Sequence, residues 1–182
     1  NCDWSSDVCS SDLTAISSQG QEVNENLKFA HQIYERFKEL GGRFPEGDQL
    51  KGLGGGKALG ALDKNFQKLN HVVDELARRY PDQSRNDLLL DLGHWLDEVR
   101  ESKEHLADFE KVGISLPSGL SLLQEIYGSQ MLGPKIGAFY QNLGGNYDPI
   151  TMDMWFMRTL NRMTGQLINR KPDRKSTRLN SS

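Results

Sequence analysis

The sequence is poor in cysteine, in long apolar runs and in any excess of one charge, and each lack closes off a class of proteins. Its two cysteines, Cys2 and Cys9, both sit at the extreme N-terminal end of 182 residues. The segment Thr14–Pro172 has none, so within it a disulfide framework, a cysteine-ligated zinc and an iron–sulfur cluster are all excluded. Such a segment fits a reducing compartment, and a cytoplasmic location is expected. No apolar stretch approaches the roughly 20 residues that span a bilayer, and no signal peptide is visible, so no membrane partner is expected. The formal net charge is −3, too close to neutral for a global basic field to announce nucleic acid.

The ends are unusual in a second respect. Cys2–Leu13, C-D-W-S-S-D-V-C-S-S-D-L, is the in-frame translation of a common sequencing-library adapter. Asp173–Ser182, D-R-K-S-T-R-L-N-S-S, is the translation of that adapter's reverse complement. Both ends are therefore expected to be adapter-derived and to lie outside the fold, leaving Thr14–Pro172 as one domain and a fragment of a longer protein. Without them Lys+Arg falls from 22 to 19 and Asp+Glu from 25 to 21, a net charge of about −2. Roughly 160 residues remain, enough to bury a proper core.

Those residues carry helical periodicity almost throughout. Leu27, Ala30, Ile33, Tyr34, Phe37 and Leu40 recur at three- and four-residue steps and predict a helix over Asn24–Leu40, ended by Gly41-Gly42. The glycine-rich stretch Gly42–Gly60 reads as a mobile loop. A second helix is predicted over Asp63–Tyr80, with Asp63 as N-cap and Pro81 closing it. A third follows Ser84 through Leu88, Leu89, Leu92, Trp95, Leu96 and Val99. Residues 98–111 read as a solvated charged stretch with sparse apolar positions. Pro117-Ser118-Gly119 breaks the chain before an amphipathic helix over Leu120–Tyr127. Helices over Pro134–Leu143 and from Asp153 to about Ile168 complete the chain, joined by the loop Gly144–Thr151. No alternating run announces a strand. The expected fold is all-α, a single orthogonal helical bundle with a helix–hairpin–helix unit over 120–168.

Two motif readings fail on inspection. Gly52-Leu53-Gly54-Gly55-Gly56-Lys57-Ala58 suggests a phosphate loop, but Lys51 stands where the first glycine is needed and Ala58 where a hydroxyl is needed. Glu101 and His105 share a helix face, as do His94 and Glu98, but neither pair has a metal-ligand spacing, and the four histidines, His31, His71, His94 and His105, read as surface or capping residues. No metal or other cofactor is expected.

The segment Gly128–Gly165 carries more. Gly133 permits a backbone turn without a Cβ, and a helix start just beyond it turns N–H groups outward. With Lys135 in the first turn, that is an anion site suited to a DNA phosphate. Gly144-Gly145-Asn146-Tyr147-Asp148-Pro149 then leads to Asp153 at another helix start.

At these residues the sequence resembles the helix–hairpin–helix/Gly-Pro-Asp superfamily of DNA glycosylases and AP lyases, the endonuclease-III-like proteins. Lys135 precedes Asp153 by the gap that separates the lyase lysine from the catalytic aspartate in that family. Asp153-x4-Arg158-x2-Asn161-Arg162 looks like the family's D-x4-R-x2-N-R helix. Met131 stands where the family's hairpin usually has a glycine, and Trp155 where it often has a histidine. The resemblance implies that Lys135 attacks the sugar C1′ to form a Schiff base and that Asp153 stabilises the departing sugar cation or activates the nucleophile. It implies double-stranded DNA as partner, with the target base flipped out. Gly133, Ile136 and Gly137 would offer backbone N–H groups to phosphate, and Arg158 and Arg162 further contacts.

Each of these residues also has a plainer reading. Asp153 can be only an N-cap, Lys135 only a solvated first-turn lysine, and Arg158 and Arg162 only an ion-paired face. The alternative function is accordingly a catalytically silent helical module, phage- or mobile-element-encoded, that binds nucleic acid or a protein.

Overall fold

A computed structural model describes residues 13–18, 23–53, 59–111, 124–151 and 163. The chain divides into two compact units, Asn1–Thr151 and Met152–Ser182, a division that falls inside the segment expected to be one domain. In the first unit the elements run α1 (Val23–Glu39), a 3-10 turn (Gly47–Leu50), α2 (Leu59–Arg79), α3 (Arg85–Asp97), β1 (Val99–Glu101), α4 (Ser102–Lys111), β2 (Glu125–Tyr127), a second 3-10 turn (Gly128–Leu132) and α5 (Pro134–Leu143). The fold is all-α, with one short antiparallel ladder among the described residues. No described helix is long and apolar enough to cross a membrane.

Of the residues that the periodicity marks, α1 buries Ala30, Ile33 and Phe37, and it buries Phe29 beside them, whereas Leu27 is exposed. Its end is a Schellman motif: the N–H of Gly41 donates to Lys38 O and that of Gly42 to Phe37 O, both at 3.0 Å. Gly41 takes φ 65°, which returns the chain toward the core.

That return carries Phe44 into the interior. Phe44 is fully buried, tilted against Phe37 with centroids 5.0 Å apart and stacked on Phe66 at 5.6 Å. Asn70 of α2 clamps the same residue from both sides of its backbone, accepting from Phe44 N at 3.0 Å and donating to Phe44 O at 2.8 Å. The stretch read as a mobile loop is thus anchored over residues 42–53, because one aromatic and one amide hold it to α2. Asp63 is not the N-cap of α2, which starts at Leu59. Its carboxylate instead accepts from Gly47 N at 2.8 Å, a second tie of the loop to α2. Arg85 ties the same loop to α3, its guanidinium donating twice to Gly42 O, at 3.0 and 2.9 Å.

Ser84 starts α3 as its sequence context predicts, in a reciprocal capping box with Asp87. Beyond α3 the structure departs from the sequence reading. The charged stretch forms β1 and α4 rather than a solvated segment, and Glu125–Tyr127 is a strand rather than the end of a helix. Val99 pairs with Tyr127, Arg100 with Ile126 and Glu101 with Glu125. Three-residue strands are too short to show an alternating pattern, and their partners lie far apart in the chain. Phe109 and His105 of α4 are fully buried beside Trp95, so His105 is a core residue and not the surface or capping residue expected.

A short helical stretch at 13–17 packs on the same core through Leu13, Ala15 and Ile16. Ser17 Oγ donates to Asn26 Oδ1 at 2.5 Å, and Asn26 Nδ2 donates to Thr14 O at 3.1 Å. Leu13 therefore belongs to the fold, although the adapter translation extends through it. It lies in helical register with Ile16, and an apolar side chain at that position is buried whatever its origin.

Candidate functional site

The corner between β2 and α5 holds the residues of interest that are described. Its distinguishing feature is backbone packed directly on backbone. A Cβ on Gly128 would lie 2.1 Å from Trp95 O, and one on Gly137 would lie 2.4 Å from Ser129 O, so α3, the second 3-10 turn and α5 approach more closely than any side chain permits. Gln141 crosses the same contact, its amide donating to Asp97 Oδ1 at 2.9 Å and to Leu96 O at 3.3 Å. Ser129 Oγ donates to Gly137 O at 3.3 Å. The loop after α5 is tied back by Asn142, whose Nδ2 donates to Asn146 O and Pro149 O at 2.9 and 3.0 Å.

The reversal itself is made at Gly133, with φ 99° and ψ 156°, a region of backbone space essentially restricted to glycine. Pro134 follows at the first helical position, where its missing N–H costs nothing. What leads into the turn is β2 and a 3-10 turn, not the α-helix expected over Leu120–Tyr127, so the described residues do not supply the first helix of a hairpin. Gly128 N donates to Glu98 O at 3.0 Å, which continues the β1–β2 pairing up to the first residue of the 3-10 turn.

The backbone donors at the corner are partly committed. Gly133 N–H donates to Gln130 O at 2.9 Å and Gly137 N–H to Gly133 O at 2.8 Å. Neither is free for a phosphate, contrary to the role that the resemblance implied for them. The first-turn donors of α5 that find no partner among the described residues are those of Lys135 and Ile136. Among the described residues no side chain caps this helix start, and no acidic residue lies in its first turn. Lys135 is exposed, while the side chain of Ile136 is buried against the core. Asp153, Arg158 and Arg162 lie outside the described residues.

One lysine that the sequence does not single out meets this corner from α2. Lys68 is half-buried, and its Nζ donates to Met131 O at 2.7 Å. Burial pulls its ammonium below the ordinary lysine range, and the charge of Lys64 one turn earlier adds to that shift. In sequence Lys68 is one charged residue on an amphipathic helix, and only its position beside Leu69, at the edge of the apolar stripe, hints at partial burial. Among the described residues no group of three or more His, Cys, Asp or Glu side chains could hold a metal ion. The chain matches no protein-family model, no curated protein and no solved structure.

Proposed function

We propose that this chain is a duplex-DNA-binding helical protein that takes a backbone phosphate at the Gly133–Lys135 corner. The observation that carries the reading is the start of α5. Among the described residues two first-turn N–H groups have no capping side chain, the turn itself holds no carboxylate, and an exposed lysine stands beside them. A helix N-terminus of this kind favours an anion through both its dipole and its unpaired donors. Such a contact positions the duplex and reads no sequence.

The finer reading, a base-excision glycosylase or AP lyase, rests on the motif resemblance and assigns Asp153 and Lys135 the chemistry. The catalytically silent alternative has its own support. A Schiff-base lysine must be partly desolvated, and Lys135 is exposed.

Fluorescence anisotropy with a labelled duplex over a salt series tests the binding claim. Affinity should fall with rising salt, and Lys135→Ala should lower the slope by about one counterion. Duplex affinity that is absent or insensitive to salt overturns the proposal. Borohydride trapping on an abasic duplex and base release by the Asp153→Asn variant test the finer reading. Failure to trap removes the lyase, and base release unchanged by that substitution removes the aspartate's role.

A further inference from the structure

We propose that Lys64 and Lys68 of α2 form a second phosphate seat beside the Gly133–Lys135 corner, which then takes neighbouring phosphates of one strand. This seat rests on the DNA-binding reading above and extends it to a second element. Ion pairing separates the described lysines into two groups. Lys28, Lys38, Lys51, Lys103 and Lys111 each hold a carboxylate oxygen, at distances between 2.6 and 3.1 Å. Lys64, Lys68 and Lys135, the other lysines described, hold none among the described residues. Those three gather around the turn at Gly133. Lys68 Nζ donates to Met131 O at 2.7 Å, just before Gly133, and Lys135 stands just after it. Lys64 is exposed one turn before Lys68 on α2, close enough for its charge to act on the Lys68 ammonium.

Such a pair disfavours the free chain and suits an anion. Like charges four residues apart destabilise a helix, and no described carboxylate pairs with either lysine to offset that. Lys68 is half-buried, so its ammonium is poorly hydrated. The Met131 carbonyl accepts one of its three N–H groups and favours the charged form. The other two have no partner among the described residues. A phosphate oxygen supplies both things that the pair lacks, a negative charge and an acceptor. A lone phosphate fills one seat, whereas a strand repeats its charge along the backbone and can fill the seats on α5 and α2 together.

The experiment is duplex anisotropy over a salt series with variants of α2 in the intact chain. Lys64→Gln should lower the salt slope by about one counterion, and adding Lys68→Gln should lower it by about one more. Lys68→Arg keeps the charge and should keep the parent's slope. Arg79→Gln is the control: it removes an exposed cation, also without a carboxylate partner among the described residues, from the other end of α2, and should leave the slope unchanged. Lys64 is exposed, so its variant decides even if circular dichroism shows that Lys68→Gln disturbs the fold. If the α2 variants behave like Arg79→Gln while Lys135→Ala lowers the slope, the second seat is overturned and the reading above stands. If they lower the slope and Lys135→Ala does not, the α5 seat falls and the α2 seat remains. Duplex affinity that is absent or insensitive to salt overturns both.

Discussion

Two regions of the first unit are held together by opposite means. Around Phe44 the contact is made of large apolar side chains: Phe37, Phe44 and Phe66 pack in sequence, with one buried amide, Asn70, serving the backbone of Phe44. At the α3–α5 corner the contact is made by the absence of side chains, with Gly128 and Gly137 seated against the carbonyls of Trp95 and Ser129. The first region fills space and is damaged by loss of volume. The second has no space and is damaged by gain of volume. A core of the first kind tolerates substitutions that keep shape and apolarity, whereas backbone contacts of the second kind tolerate essentially none.

The largest expected break is on the aromatic side. Phe44→Ala removes a ring from a dry site and should cost about 4 kcal/mol of unfolding free energy in urea titration. Phe44→Leu should cost well under half of that, because most of the volume is kept. A loss for the leucine variant as large as that for alanine would show that stacking geometry, not burial, holds the loop.

On the glycine side the sign of the volume effect reverses. Gly128→Ala forces a methyl group against a main-chain carbonyl that cannot swing away, and should cost about 3 kcal/mol. Gly137→Ala gains about 1 kcal/mol of helix propensity against a similar clash, so its net loss should be smaller. If either variant proves as stable as the parent in thermal melts, the backbones do not meet as closely as these distances require.

The amide tie ranks third. Asn70→Ala leaves the buried N–H and C=O of Phe44 unpaired and should cost about 2 kcal/mol. Asn70→Asp should fare no better, since a carboxylate can accept from the N–H but cannot donate to the carbonyl.

The smallest effect concerns His105, which stacks on Phe109 at 5.5 Å and meets Trp95 edge-on at 5.9 Å. Burial holds its imidazole below the ordinary histidine range, against the opposing pull of the Glu98 backbone carbonyl. The folded state therefore prefers the neutral ring. The stability this provides is complete above the unfolded value of 6.5 and is lost as the pH falls below it. One such group contributes a slope of no more than about 1.4 kcal/mol per pH unit. Denaturation midpoints at pH 7.5 and 5.5 should differ for the parent chain, and less so for His105→Gln.

Much of the fold is legible in local sequence signals. The stripe in α1, the start of α3 at Ser84 and the bounds of α5 at Pro134 and Leu143 all follow from features contained within a few residues: period, cap, proline and glycine. The turn at Gly133 is legible for the same reason. The departures share one cause. Asp63, Phe44, His105 and the β1–β2 pair owe their roles to partners distant in the chain or to packing from several elements, and no local pattern records that. The candidate site divides in the same way. The α5 start is readable as an anion site, but the commitment of the Gly133 and Gly137 N–H groups and the approach of Lys68 are not.

The sequence by itself determined that the fold is helical, where α1 and α5 begin and end, where α2 ends and α3 starts, and that one glycine must reverse the backbone before Pro134. These are properties of neighbouring residues, set by allowed dihedrals, capping and apolar period. Tertiary structure alone decided that Phe44 closes the loop, that two glycines bring α3 and α5 into backbone contact with the turn between them, and which lysine is desolvated. Burial belongs to the whole surrounding shell of atoms, and the hydration of a lysine's ammonium depends on that shell rather than on its own place in the chain.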